Sequence, residues 1–255
     1  MKASILPDKR TIEKVAAIVF ALAVWQAGAM LLGESLLLVT PTAVIKRLFT
    51  LLPEQDFISA VGFSFLRIVS GFLLALMAGA ILSAFAGKSH IAEVMLRPFI
   101  VTIKSVPVAS FIILCLIWLS SKNLSIFISF LMVLPIIYTN LLQGIKSTDP
   151  KMLEMAGVFR VGWLKRLKYI YLPQIKPFLI SSCSVAIGLA WKSGIAAEVI
   201  GIPDGSIGEK LYEAKVYLST GDLFAWTVVI VALSIIFEKL FLYFIKSLFA
   251  GLEKS

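Results

Sequence analysis

Apolar and polar positions divide this chain into six long hydrophobic runs joined by polar connections. A helix needs roughly 20 mostly apolar residues to cross a bilayer. Runs of that kind lie at about 15–33, 61–86, 99–119, 124–143, 177–200 and 223–245. The pattern predicts an all-α, polytopic membrane protein in which residues 1–255 form one domain. The first run is preceded by Lys2, Lys9, Arg10 and Lys14 and closes without a small-residue cleavage pattern. It therefore reads as a retained helix, not a removable leader. Between the first two runs, Thr40-Pro41-Thr42 offers a cap and a helix-starting proline. The apolar Val44, Ile45, Leu48, Leu51 and Leu52 follow around Lys46 and Arg47, predicting a short amphipathic helix on the outer membrane surface. Pro107, Pro135, Gly71, Gly79 and Gly188 lie inside the runs. They are expected as kinks and close-packing points, with a broken substrate-path helix as the alternative.

Composition sharpens this reading. Hydrophobic residues make up 59% of the chain and charged residues 15%, with a mean hydropathy of +0.96. No single aqueous core of this size hides such an excess, so a water-soluble enzyme is excluded, and so is disorder. The charge balance, 24 − 15 = +9, reports orientation before it reports nucleic-acid binding. With six spans both termini share a side. That side, with loops 87–98 and 144–176, carries 16 Lys and Arg against 5 on the other, which places both termini in the cytoplasm. Cys115 and Cys183 sit in apolar runs as small hydrophobic side chains, and a single histidine, His90, leaves little room for a His-based metal site or triad.

The most informative stretch is the connection from 144 to 176, far longer than an ordinary helix-to-helix link. Asp149 is placed to cap a helix and Pro150 to open it. Met152, Leu153, Met155, Ala156 and Phe159 then interleave with Lys151, Glu154 and Arg160. Gly162 permits a bend, a basic stretch runs from Trp163 to Tyr169, Leu172-Pro173 ends the unit and Pro177 opens the next span. An apolar face held there must find either a headgroup layer or a protein groove. The defined elbow of helix, bend and closing prolines suits a protein partner, whose displacement it would pass to spans four and five.

The run Glu154-Met155-Ala156 followed by Ile170-Tyr171-Leu172-Pro173 resembles the EAA loop of binding-protein-dependent ABC importer permeases. It departs from the family pattern in Met155, where the first Ala would stand, and in Arg160, where a Gly would stand, with Gly157 and Gly162 nearby. Other segments are similar to the nitrate, sulfonate and taurine branch: Arg67 with Gly71-Phe72, Arg97-Pro98 with Pro107, Gly188 to Lys192, and Ala197-Glu198 with Gly201, Gly205 and Gly208. Trp118-Leu119-Ser120 departs from that branch. The resemblance implies a six-helix type I importer permease (MetI-like) fold in the bacterial cytoplasmic (inner) membrane, working as a dimer of two permease copies. It further implies that Glu154, Met155, Ala156, Gly157, Phe159, Arg160, Gly162, Leu172 and Pro173 engage a cytoplasmic ABC ATPase. An extracytoplasmic solute-binding protein would deliver a small anionic or zwitterionic solute, such as nitrate, a sulfonate, taurine or a thiamine precursor. No cofactor of its own is expected, ATP being bound by the ATPase, and no nucleic-acid partner.

Ionisable and aromatic groups inside the spans are candidates for the translocation path: Arg67, Lys104, Trp191, Lys192 and Glu198. For the cations, attraction of an anion stands beside snorkelling to the interface or pairing with an acid such as Glu198. Glu198 itself reads as a gate or structural partner. The glycine-rich Gly201–Lys210 is not a phosphate loop, because Glu209 intervenes and Leu211 follows Lys210. No catalytic residue or metal ligand set is expected. The competing functions are a single-chain secondary transporter, expected to show inverted repeats, and a membrane-embedded enzyme, which needs clustered acids, histidines or a nucleophile.

Overall fold

A computed structural model describes residues 9–33 and 38–254; Lys2, counted above for orientation, lies outside them. Among the described residues all regular structure is helical. In chain order the helices are α1 (Lys9–Leu32), α2 (Pro41–Leu51), α3 (Gln55–Lys88), α4 (His90–Ser105), α5 (Val108–Cys115), α6 (Ser121–Lys146), α7 (Pro150–Val158) and α8 (Trp163–Arg166). A π-helical turn, Leu167–Tyr171, leads into α9 (Leu172–Gly201), followed by α10 (Ile207–Val216) and α11 (Thr220–Lys254). Stretches in α1, α3, α6, α9 with its lead-in, and α11 are each long and apolar enough to cross a membrane.

The expected span at 99–119 is corrected by the structure. It is no continuous helix, because α4 and α5 meet at 101°. Pro107 explains the break: it has no N–H to donate, and it drives the preceding residue out of helical geometry. Val106 is extended at φ −76°, ψ 130°. The bent pair is the sixth candidate span only if its two arms count as one. Pro98, Pro135 and Pro177, by contrast, lie inside helices that continue past them. Leu172-Pro173 is corrected too: these residues open α9, which starts before Pro177 and runs through it.

The chain forms two compact units, one of residues up to 58 with 210–229, the other of 59–209 with residues from 230 onward. In the larger unit, α6 and α9 are the central pair. Of the most apolar window of α6, 67% is buried, against 6% for α1. Ile112, Cys115, Leu124, Ile128, Leu131, Met132 and Ala197 form one packed cluster from α5, α6 and α9. The close approach depends on Gly194, where a Cβ would fall 2.6 Å from both Ile68 Cγ1 and Ser129 Oγ. In the smaller unit, Thr40 caps the predicted amphipathic helix α2 by accepting from Ala43 N, and Trp25–Phe224 and Phe57–Trp226 ring pairs pack with centroids 5.5 and 5.4 Å apart.

Candidate functional site

The elbow between α6 and α9 is built as its sequence suggests at the start and differently at the bend. Asp149 caps α7, its Oδ1 accepting from Lys151 N at 2.9 Å, while Gln174 Oε1 accepts from Asp149 N at 3.2 Å and ties the start of α7 to α9. The turn that ends α7 falls on Arg160 at φ +49°, the left-handed conformation that favours glycine, and not on Gly157 or Gly162. Val161 N donates to Ala156 O at 2.9 Å across this turn. Arg166 then reaches back, Nε donating to Val161 O at 2.7 Å and Nη2 to Ala156 O at 3.0 Å. Ala156 O thus accepts from both Val161 N and Arg166, and the side chain of Arg166 clamps the turn across its two ends. Arg166 was not singled out by sequence; a cation just after a helix C-terminus was the available signal.

The elbow displays what a soluble-side loop usually hides. Val158 and Phe159 are 79% and 74% exposed, and Met155, Trp163 and Leu164 are exposed beside them. Ala156 is buried and packs the helix inward, while Glu154, Gly157, Arg160, Gly162 and Pro173 are exposed and Leu172 is half-buried. The π-helical turn, whose Leu172 N–H reaches Leu167 O, accommodates Pro173 in the first turn of α9.

The path candidates separate into different roles. Glu198 is fully buried near the end of α9 and organises the turn that follows. Ser64 Oγ donates to Glu198 Oε2 at 2.6 Å and accepts from Ile207 N at 2.9 Å, and Gly208 N approaches the same Oε2 at 3.4 Å. Gly208 has no room for a side chain, because a Cβ there would collide with Glu198. The Ser206-x-x-Glu209 pattern completes the start of α10: Ser206 Oγ accepts from Glu209 N at 2.9 Å, and Glu209 Oε2 accepts from Gly205 N at 2.6 Å. The glycine-rich stretch is thus a helix-to-helix turn anchored on a buried carboxyl. Ser125 Oγ of α6 is buried beside the same Glu198 carboxyl.

Arg67 is occupied within the chain, its Nε donating to Lys122 O at 2.5 Å and its guanidinium 3.4 Å from the centroid of the Phe63 ring. Lys104 Nζ lies 3.5 Å from Thr139 Oγ1. Trp191 is buried, its ring 6.0 Å from that of Phe65. Lys192 is exposed on α9 and has no polar partner among the described residues. One membrane-depth acid escaped the sequence reading: Glu238 of α11 accepts a hydrogen bond from Ser184 Oγ of α9. A lone acid within the sixth apolar run was its signal.

The family model described as "Binding-protein-dependent transport system inner membrane component" matches residues 71–251. The chain belongs to that family. It is an ABC importer permease subunit and a multi-pass membrane protein. Among curated relatives, it is 25% identical over 211 residues to a putative aliphatic sulfonates transport permease protein SsuC of Bacillus subtilis (strain 168), covering 82% of this chain and 76% of the relative. It is 25% identical over 220 residues to the taurine transport system permease protein TauC of Escherichia coli (strain K12), covering 84% and 80%. It is 26% identical over 212 residues to the nitrate import permease protein NrtB of Synechococcus elongatus, covering 79% and 75%. Among solved structures, the crystal structure of an amino acid ABC transporter with histidines matches with a TM-score of 0.53 at 17% identity, covering 78% of this chain and 93% of that one. This last likeness establishes the permease fold. Within the permease, the matched region takes in the elbow, the Glu198 turn and Lys192 together.

Proposed function

We propose that the permease works as a pair of copies that open alternately to the two sides of the membrane, driven by a cytoplasmic ATPase that grips the elbow from Asp149 to Pro173. The observation that carries this reading is the exposed apolar surface of Met155, Val158, Phe159, Trp163 and Leu164 on a bend fastened by Arg166. Rigid attachment matters, because a lever transmits displacement only if its own joints hold, and both ends of this one continue into the central helices α6 and α9. ATP is bound by the partner and not by this chain. Both termini and the elbow lie in the cytoplasm, supported by the distribution of Lys and Arg. A secreted binding protein supplies the solute from the opposite side.

The solute is a small anion or zwitterion. Support comes from the sulfonate, taurine and nitrate named for the relatives. The experiment is ATP hydrolysis by the reconstituted assembly carrying Glu154→Lys. Loss of solute-dependent hydrolysis with unchanged membrane insertion supports the coupling role of the elbow; unchanged hydrolysis refutes it.

A further inference from the structure

The face of α9 turned away from its packed side has an unusual composition for a membrane helix. Pro173, Pro177, Ser181, Val185 and Lys192 are exposed at steps that keep them on one stripe, with Gly188 half-buried between the last two. The opposite face carries the buried Ala186, Ile187, Ala190, Trp191 and Gly194. Exposed positions on α11 differ in kind: Val228, Val231, Ile235, Ile236, Leu240 and Phe244 are large and apolar, as lipid contact requires. The α9 stripe offers small side chains, a hydroxyl and a charge in their place.

Depth makes the charge decisive. Nine residues separate Lys192 from Gly201 at the end of α9. At the rise of an α-helix this puts Lys192 about 14 Å inside the helix end, close to the middle of a ~30 Å hydrocarbon core. A lysine there is poorly placed to snorkel, and ionised groups at such depth face protein or water and not lipid. Arg67 and Lys104 have partners within the chain, whereas Lys192 has none among the described residues. Its counter-charge does not come from the described residues around it.

We propose that the α9 stripes of two permease copies face each other across a water-accessible path, and that their paired Lys192 ammonium groups form a station for a small oxyanion. Two like charges approaching across a two-fold axis repel unless an anion lies between them, and the small residues around Lys192 leave room for one. A nitrate or sulfonate group supplies planar or pyramidal oxygens that accept from both ammoniums at once. The inference rests on the pairing and the anionic solute of the proposed function, and it assigns them a position and a residue.

Two measurements on the full-length permease in lipid vesicles test it. The first treats the protein with the water-soluble amine reagent trinitrobenzenesulfonate and quantifies modification of Lys192 by mass spectrometry, with and without nitrate or methanesulfonate as the competing probe. The expected result is modification that falls several-fold with nitrate or methanesulfonate and is unchanged by glycerol. Absence of modification, or modification equal with all probes, overturns the oxyanion station. The second introduces Ser181→Cys or Val185→Cys and oxidises. Disulfide-linked pairs are expected at both positions and not for Ile236→Cys on α11; pairs at neither stripe position overturn the facing of the stripes. Cross-linking without anion protection refutes the station and leaves the proposed function standing, which the elbow experiments test separately.

Discussion

Ser64 Oγ and Glu198 Oε2 lie 2.6 Å apart, both residues wholly inaccessible to solvent. The hydroxyl also accepts from Ile207 N, so one serine on α3 holds both the end of α9 and the start of α10. Ser64→Ala removes the shortest hydrogen bond to the carboxylate and leaves Ile207 N–H without an acceptor. Leaving a buried polar group unpaired costs about 1–3 kcal/mol. Thermal unfolding of the purified permease should therefore occur several degrees lower for Ser64→Ala, and Ser64→Thr, which keeps the hydroxyl, should lose less. Equal melting for Ser64→Ala and the parent would show that this contact holds nothing.

The turn at Arg160 gives a prediction of opposite sign. A non-glycine residue in the left-handed region costs roughly 1–2 kcal/mol, and Arg160 occupies it at φ +49°. Arg160→Gly should slow amide exchange over residues 156–162, and Arg160→Val, whose branched side chain suits the turn even less, should hasten it. Arg166→Ala should hasten exchange over the same segment by removing the side-chain donors that clamp Val161 O and Ala156 O. Uniform exchange across the three variants would contradict the account of how the bend is held.

The elbow also shows what the sequence made legible. Asp149 and Pro150 announce the start of α7 because capping is a local matter, settled within a few residues. The bend was harder to place: glycines at 157 and 162 drew attention, yet neither adopts a positive φ, and the strain falls on Arg160, at the position where the family pattern has Gly. The six apolar runs were legible because hydropathy registers composition. The same property hid the 101° break at Pro107, since a bend changes direction without changing hydropathy. Glu198 was legible as a buried acid near a span end, but its partner Ser64 is 134 residues away, and no local pattern pairs them. Position along the span already marks Lys104, near the inner end of its run, as placed to snorkel, whereas only packing separates Arg67, which has partners in the chain, from Lys192.

In the smaller unit, Arg47 of α2 contacts three side chains at once: Asp222, Glu54 at 2.9 Å and Thr50 at 3.1 Å. The hydrogen bond with Asp222 is the chief cause holding its pKa above the ordinary arginine value. The guanidinium is planar and forked, so lysine cannot reproduce this geometry. Because the groups are partly exposed, the pairwise coupling should be about 1 kcal/mol or less. A double-mutant cycle with Arg47→Lys and Asp222→Asn should return a coupling of that size that shrinks in high salt; additive single effects would contradict the pairing.

The central claim is that a separate motor holds the elbow at Phe159. The direct measurement is site-directed cross-linking of Phe159→Cys in native membranes, followed by identification of the attached polypeptide. The account predicts attachment to a polypeptide carrying a Gly-x-x-x-x-Gly-Lys-Ser/Thr phosphate loop, with a yield that changes when ATP is added. Attachment to lipid alone, or free reaction of the thiol with a soluble reagent in the assembled transporter, would contradict it.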